Sequence, residues 1–211
     1  MLNVFHREFA SICDAIVVDA DVGADMVLAL KDLACSVFPP PSTLSILHDQ
    51  LIQRSFFQAN GFALPDLFEI DGVESAFEAG RSFSYPLLLR RRIKGTGQTV
   101  AVADEMDVEG ALASIGTNEV FAERSVCHAR YLIVTLLKAR EAQPIFFPLS
   151  ERLHNGLCLN PATIAAEIES KAKKLAADAV YSLGEDIFGV FAVKVFVLDD
   201  GDVLLGEVSA R

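Results

Sequence analysis

The sequence predicts an α+β protein of two lobes, in which antiparallel sheets are flanked by helices. Apolar, β-branched runs on both sides of Asp-Asp-Gly-Asp at 199–202 are typical of an antiparallel hairpin with Asp200 and Gly201 at its turn. The segment 161–183 has the apolar spacing of a long amphipathic helix. Strand and helix patterns also alternate from residue 42 onward, so both kinds of element are expected in each lobe.

The expected elements follow one another along the chain. A strand-like run at 15–19 and a helix-like run at 25–33 come first. The segment 42–60 has apolar residues at helical spacing and stops at Gly61, which predicts one continuous helix. The remaining predicted elements are strands at 86–92 and 99–103, a helix at 108–115, strands at 120–123, 131–138 and 144–149, the long helix at 161–183 and the terminal hairpin.

The composition indicates an ordered protein and excludes some classes of partner. Of the 211 residues, 52% are hydrophobic and 22% charged, which is enough apolar material for a core in one domain or two small lobes. The net charge of −11 argues against a surface for nucleic acid or anionic membranes. Because there is neither an apolar run of roughly 18 residues nor a signal peptide, we expect a cytoplasmic location. The four cysteines lack metal-site spacing and are expected to be reduced thiols.

The terminal hairpin places two opposite charges on neighbouring strands. Counted back from the turn, Lys194 lies directly opposite Glu207. The Cβ atoms of such partners lie about 4.5 to 5.5 Å apart, so we expect the two side chains to form an ion pair. A second interpretation stays open, in which Lys194 has a lowered pKa and acts as a base or holds a carboxylate ligand.

A basic cluster stands out in this acidic chain. It consists of Arg90, Arg91, Arg92 and Lys94, beside Gly95 and Gly97. On a strand, Arg90 and Arg92 would share one face, and the glycine loop beyond them would suit a phosphate or another anion. The alternative is a solvated strand end whose basic residues pair with acidic neighbours. The residues alone leave both interpretations open.

These segments resemble, in the same order along the chain, motifs of the ATP-grasp superfamily. Within it, the resemblance is to carboxyaminoimidazole ribonucleotide synthase, the purine-pathway enzyme that is also fused into fungal phosphoribosylaminoimidazole carboxylases. It extends from about residue 17 to the end of the chain. The segments that carry it are His48-Asp49-Gln50-Leu51, Tyr85-Pro86-Leu87-Leu88-Leu89-Arg90, Lys94-Gly95-Thr96-Gly97-Gln98, Phe121-Ala122-Glu123, the run from Phe147 to His154, and the strands of Lys194 and Glu207.

The resemblance implies a nucleotide site that has diverged. Lys194 stands where the family has a metal-binding glutamate, and Tyr131 where it has a glutamate near the ribose, whereas Glu207 is retained. We therefore expect no metal and no cofactor, although the parental family uses ATP and Mg²⁺. The residues expected at the cofactor position are Arg90, Arg92, Lys94, Gly95, Gly97 and Glu123. The catalytic candidates are Tyr131, His154, Lys194 and Glu207.

The resemblance also divides the chain. Residues 1–41 would be a remnant of a preceding nucleotide-fold domain, 42–118 the small ATP-grasp lobe with a shortened phosphate loop, and 119–211 the large lobe. The family's sequence continues beyond the position of Arg211. We therefore expect either a piece of a longer protein or a truncated paralogue. A face left uncovered by the absent domain would favour a homodimer.

Three functions remain open. The candidates are an ATP-dependent carboxylating ligase or a fragment of one, a non-catalytic binding module, and an enzyme repurposed for another small molecule without ATP. Divergence is concentrated at ligand positions while the apolar pattern of the core is kept, which favours the second and third. The expected partner is a small-molecule or anionic ligand in the cleft between the lobes, with no nucleic acid and no membrane.

Overall fold

The structure of the protein is a computed structural model in which helices and three sheets alternate. The sheets are counted within the residues that it describes, which are 13–18, 29–30, 36–93, 99–116, 119–126, 129–139, 142–153 and 156–211.

The elements are numbered in chain order. The described helices are α1 (Pro41–His48), α2 (Gln50–Ala59), α3 (Val73–Phe83), α4 (Val108–Ile115) and α5 (Ala166–Ser182), with a 3-10 turn at Glu105–Asp107. None of these is long and apolar enough to cross a membrane. The described strands are β1 (Ala15–Val17), β2 (Ser36–Phe38), β3 (Leu67–Ile70), β4 (Leu87–Arg91), β5 (Thr99–Val102), β6 (Val120–Arg124), β7 (Arg130–Lys138), β8 (Ile145–Phe146), β9 (Ser150–Arg152), β10 (Cys158–Leu159), β11 (Gly189–Val197) and β12 (Val203–Ala210).

Two antiparallel sheets form the lobes, and this confirms the predicted α+β class. In the small sheet the strand order is β3-β6-β4-β5, and α3 and α4 bury apolar residues against one face. In the large sheet the order is β10-β9-β7-β11-β12, with β8 also paired to β7, and α5 packs against the three long strands. The third sheet is the short parallel pair β1-β2.

The boundary between the lobes differs from the predicted one at 118/119. Strand β6 lies between β3 and β4 in the small sheet, with Val120 opposite Ile70. Helices α1 and α2, expected in the small lobe, bury Leu47 and Phe57 in the core of the large sheet. The order of segments along the chain does not reveal these long-range pairings. A division by chain order therefore assigned β6, and the helices α1 and α2, to the wrong lobe.

The helix predicted at 42–60 is two helices with a break at Asp49. The backbone of Asp49 is extended (φ −96°, ψ 112°), and its Oδ1 accepts hydrogen bonds of 3.0 Å from the N–H groups of Leu51 and Ile52. Aspartate is a favoured N-cap because it satisfies donors that the first helical turn leaves free. The apolar spacing continues across the break, which is why it predicted one helix.

Helix α5 is shorter than the predicted helix at 161–183. It begins at Ala166, and its exposed residues include Tyr181, which the apolar pattern placed toward the core. The buried residues of α5 are Ala172, Ala176, Ala179 and Val180. The distance between packed elements depends on the side chains at their contact, so this mostly alanine face lets α5 lie close to β7, β11 and β12.

The end of β7 is held by a buried lysine. The Nζ atom of Lys138 donates to the carbonyl oxygens of Gly184, Glu185 and Ile187 at 3.2, 2.7 and 2.6 Å. Burial lowers the pKa of Lys138, and the nearby Asp186 and Glu185 carboxylates oppose this. All three carbonyls follow α5, so the ammonium fixes the loop that leads into β11.

The outer edge of β12 is closed by side chains of α2. The carboxamide of Gln53 accepts a hydrogen bond from the N–H of Val208 at 2.9 Å and donates to the carbonyl oxygen of the same residue at 3.0 Å. Arg54 donates to the carbonyl of Leu205, whose own N–H donates to the carbonyl of Ala63. These contacts take the place of a further strand at Leu205 and Val208, so the backbone groups of these two residues are not free to pair with another chain.

We predict that Gln53→Ala lowers the free energy of unfolding by about 2–4 kcal/mol, because two backbone groups of Val208 lose their partner while they stay buried. Equilibrium unfolding in urea measures this. The control is Gln58→Ala on the exposed side of the same helix, which should change the free energy by less than about 0.5 kcal/mol. Equal effects of the two substitutions would contradict the edge-closing role of Gln53.

Candidate functional site

The structure brings five predicted site residues together where the two sheets meet, with one residue that the sequence did not indicate. Ion pairs join Glu123 of β6 to two arginines, and a further ion pair joins β11 to β12. Electrostatic coupling of Arg90 to Lys194 and Tyr131 connects the two groups. We call this set the junction cluster, and its members are Arg54, Arg90, Glu123, Tyr131, Lys194 and Glu207.

The other predicted site residues lie elsewhere. Arg92 pairs with the N-cap Asp49, 2.6 Å from its Nε to Oδ2, and does not reach the cluster. Alternation along β4 is as predicted, because Arg90 and Arg92 meet carboxylates on one face while Arg91 donates to the carbonyl of Ile115 at 2.5 Å on the other. The predictions for four residues fall outside the described part of the chain, at Lys94, Gly95, Gly97 and His154.

The predicted pairing of Lys194 with Glu207 is confirmed, but two features of the hairpin produce it. The first observed pair beyond the turn is Val197 with Val203. A two-residue turn at Asp200 and Gly201 would give a register that differs from this by one residue. A β-bulge after Lys194 shifts the register back by one residue, so that Lys194 lies opposite Glu207. It leaves Gly206 without an opposite residue.

Gly206 matters because of its close neighbours. A Cβ atom there would lie 3.0 Å from the backbone oxygen of Lys194 and 3.1 Å from the ring of Phe196. Any side chain would push these residues away. The close packing at the bulge therefore favours glycine at this position.

The ion pair of the hairpin is short and mostly enclosed. The Nζ atom of Lys194 lies 2.6 Å from Oε2 of Glu207, and the two side chains are 29% and 11% exposed. Tyr131 of β7 lies near enough to Lys194 for the two groups to shift each other's pKa, and its ring stacks on Phe196 with centroids 5.5 Å apart. The surroundings of the ammonium group thus come from three adjacent strands, β7, β11 and β12.

The protonation of Lys194 follows from these contacts. Burial by itself would lower its pKa, but the Glu207 carboxylate and the Tyr131 oxygen outweigh burial and raise the pKa above the ordinary 10.5. Burial likewise raises the pKa of Tyr131, with Lys194 opposing it. Both groups therefore keep their protons at neutral pH, which does not support the interpretation of Lys194 as a base with a lowered pKa.

Arg54 and Arg90 share the carboxylate of Glu123. The Nη2 atom of Arg54 forms a short contact with Oε2, and Nη1 of Arg90 lies 3.3 and 3.2 Å from Oε1 and Oε2. The side chains of Arg54 and Glu123 are 4% and 1% exposed, so this is a fully buried ion pair. Burial lowers the pKa of Arg54, and the charge of Glu123 counteracts it.

Arg54 was not predicted as a site residue, although the sequence of α2 carries a signal for it. Leu51 and Phe57 define the buried face of α2, and Gln53 and Arg54 fall between them on that same face. Polar residues on the apolar face of an amphipathic helix need buried partners. Such a pattern indicates a structural hydrogen-bonding role or a site.

The residues present do not fit a divalent cation between β11 and β12. The position that would need a carboxylate carries the ammonium of Lys194, and the remaining carboxylate of Glu207 is already paired with it. Mg²⁺ requires oxygen ligands in octahedral geometry, which an ammonium group cannot supply. Across the described part of the chain, no group of three or more His, Cys, Asp or Glu side chains is arranged to hold a metal.

Comparison with known proteins identifies similar sequences. A family model of the ATP-grasp domain matches residues 55–211. Phosphoribosylaminoimidazole carboxylase of Candida glabrata is 26% identical over 213 residues, which cover 96% of this chain and 37% of that protein. N5-carboxyaminoimidazole ribonucleotide synthase of Brucella melitensis is 29% identical over 181 residues, 83% of this chain and 50% of that protein. The chain thus spans half or less of the length of these two relatives.

Solved structures show the same fold. Carboxyaminoimidazole ribonucleotide synthase from Aspergillus clavatus, complexed with ATP, superimposes with a TM-score of 0.86 at 22% identity, covering 98% of this chain and 56% of that one. N5-carboxyaminoimidazole ribonucleotide synthetase from Thermus thermophilus has a TM-score of 0.81 at 25% identity, covering 96% and 56%. The two-lobed arrangement is therefore an ATP-grasp fold.

We predict that Arg54→Met lowers the free energy of unfolding by about 3–5 kcal/mol, because the buried Glu123 loses its closest cation. The triple variant Arg54→Met/Arg90→Met/Glu123→Met should recover most of this loss, since none of the three charges of the shared ion pairs then remains buried. Urea unfolding measures both. Arg124→Met, which removes an exposed pair with Asp66, is the control and should cost less than about 1 kcal/mol.

We also predict a pH dependence for Lys194→Met. The raised pKa means that the ion pair stabilises the fold fully below pH 10.5, and that this contribution declines as the pH rises through the folded-state pKa. The variant should therefore be less stable than the original chain by about 1–3 kcal/mol from pH 6 to 9, and the difference should shrink in alkali. Thermal unfolding followed across pH measures this. A difference that instead declines between pH 7 and 9 would disprove the raised pKa.

Proposed function

This chain belongs to the ATP-grasp domain family, and from that premise we propose that it is a divergent member that does not run the parental Mg²⁺-ATP-dependent carboxylation. Its junction cluster would serve another small, anionic molecule, either in a repurposed reaction or in binding alone. The observation that carries the proposal is the ion pair between Lys194 and Glu207, 2.6 Å long, at the position where the family pattern has two glutamates.

The electrostatic cost of a metal beside Lys194 is large. Two unit charges 4 Å apart interact by about 4 kcal/mol at an effective dielectric constant of about 20, so a divalent ion next to an ammonium group is repelled by about twice that. A millimolar metal site is worth only about 4 kcal/mol. Repulsion therefore exceeds the binding energy unless Lys194 leaves Glu207, and leaving would expose an unpaired, mostly enclosed carboxylate.

The charge balance of the cluster favours an anion. Three cations, Arg54, Arg90 and Lys194, face the two carboxylates of Glu123 and Glu207, which leaves a surplus of one positive charge. The Nε atom of Arg90 is buried and has no hydrogen-bond partner among the described residues. A small anion between Arg90 and Lys194 would balance the charge and accept that hydrogen bond.

The protonation states limit what the cluster would do chemically. Lys194 and Tyr131 keep their protons at neutral pH because their pKa values are raised, so they would donate hydrogen bonds to an anion and not abstract a proton. Glu123 is occupied by two arginines. The cluster therefore supports binding and orientation of an anionic group.

The predictions of a cytoplasmic location, of no nucleic-acid or membrane partner and of a homodimer stay predictions.

A second candidate is an ATP-dependent carboxylating ligase or a part of one. It is favoured by the names of the similar proteins and by the fold shared with an ATP complex over nearly the whole chain. In that case Lys194 would have to move away from Glu207 when nucleotide and metal arrive.

Calorimetric titration with ATP, with and without Mg²⁺, separates the two candidates. We expect Mg²⁺ to add nothing to any ATP binding by the original chain, because Lys194 occupies the metal position. Lys194→Glu should gain at least a tenfold improvement in ATP affinity from Mg²⁺, whereas Lys194→Met, which removes the ammonium group without adding a carboxylate, should not. Micromolar ATP binding by the original chain that requires Mg²⁺ would reject the proposal in favour of the ligase.

A further inference from the structure

The small sheet has one edge that the described residues leave open. Strand β3 pairs with β6 on one side, and no other described strand pairs with it. Along an edge strand, alternate residues turn their N–H and C=O groups outward, where an extended chain can pair with them. This contrasts with β12, whose edge is closed by α2.

A groove runs along this open edge between two helices. A cavity of about 510 Å³ lies on the side of α3, and a second of about 450 Å³ lies on the side of α2. Both are lined by Leu51, Glu69 and Arg92, so they adjoin each other. We call this space the β3 groove, and the side chains that define it are Leu51, Ile52, Phe56, Glu69, Glu74 and Glu78.

The two walls of the β3 groove differ in chemistry. The wall from α2 is apolar, and Ile52 there is 44% exposed. The wall from α3 is acidic through Glu74 and Glu78, which lie one helical turn apart and are both exposed. Side chains of an added strand would alternate between these walls.

The charge of the β3 groove is unbalanced. Its lining carries five exposed carboxylates, and none of them forms an ion pair with another described residue: Glu69, Asp71, Glu74, Glu78 and Glu119. The one basic side chain, Arg92, is already paired with Asp49. Cations brought by a partner would therefore meet carboxylates that have no competing partner among the described residues.

We propose that the β3 groove binds an extended, basic segment of a partner protein, which adds to β3 as a further strand. Main-chain hydrogen bonds to β3 would supply affinity that does not depend on the sequence of the segment. Contacts of its alternate side chains would supply the specificity. The segment would alternate basic residues, directed at the carboxylates of α3, with apolar residues that cover Ile52 and Phe56. This interaction is independent of the junction cluster and of any nucleotide.

The test is fluorescence anisotropy with a labelled peptide of repeated lysine-leucine pairs, titrated with the whole chain. The comparison peptide has the same residues in two blocks, so its charge is equal but its alternation is lost. We expect saturable binding of the alternating peptide, at least tenfold tighter than that of the block peptide and weaker as salt rises. Hydrogen exchange should show new protection of the outward-directed amides of β3 (Leu67–Ile70) in the complex, whereas the amides that already face β6 should change little.

Charge-reversal variants complete the test. Glu74→Lys/Glu78→Lys should weaken peptide binding at least tenfold. The control, Glu105→Lys/Glu109→Lys, makes the same charge change at the same spacing on exposed residues away from the β3 groove and should leave binding within twofold. All four positions are exposed, and circular dichroism checks folding. Equal binding of the two peptides, equal loss in the two variants, or no protection of β3 would overturn the proposal.

Discussion

The guanidinium group of Arg54 joins the parts of this protein that chain order keeps separate. It lies on α2, donates to the carbonyl of Leu205 on β12, and pairs with Glu123 on β6 of the other sheet. Because Arg54 and Glu123 are almost fully buried, neither can lose the other without leaving a charge in a poorly solvated interior. The positions of α2, of the edge of the large sheet and of the small sheet are therefore coupled through one side chain.

The same principle of internal charge compensation governs the candidate site. Lys194 neutralises Glu207 across the hairpin, and Arg90 forms a second ion pair with Glu123. A site that depended on a metal would leave its carboxylates uncompensated until the metal arrived. Here the cations are part of the chain, so the carboxylates are compensated within the chain itself, and one surplus positive charge remains.

The edge strands of the two sheets differ in how their backbone groups are covered. The edge of β12 is long, and Gln53, Arg54 and Ala63 close it by supplying hydrogen-bond partners to its backbone. The edge of β3 is short, lies in a groove and is surrounded by carboxylates. Closing the first edge builds the junction between the lobes, whereas no strand among the described residues pairs with the second edge.

The sequence by itself determined the elements whose signals are local. The terminal hairpin, helix α4 and the pairing of Lys194 with Glu207 follow from turn residues and apolar spacing, although the bulge at Gly206 was needed to produce that pairing. Strand β3, which has only four residues, was not predicted, and neither was helix α3, although its 11 residues make it longer than α4.

Only the tertiary structure decided that β6 belongs to the small sheet and that Arg54 reaches Glu123. Both depend on contacts between residues far apart in the chain. Local spacing cannot encode them, because it records which face of an element is apolar and not which element that face will meet.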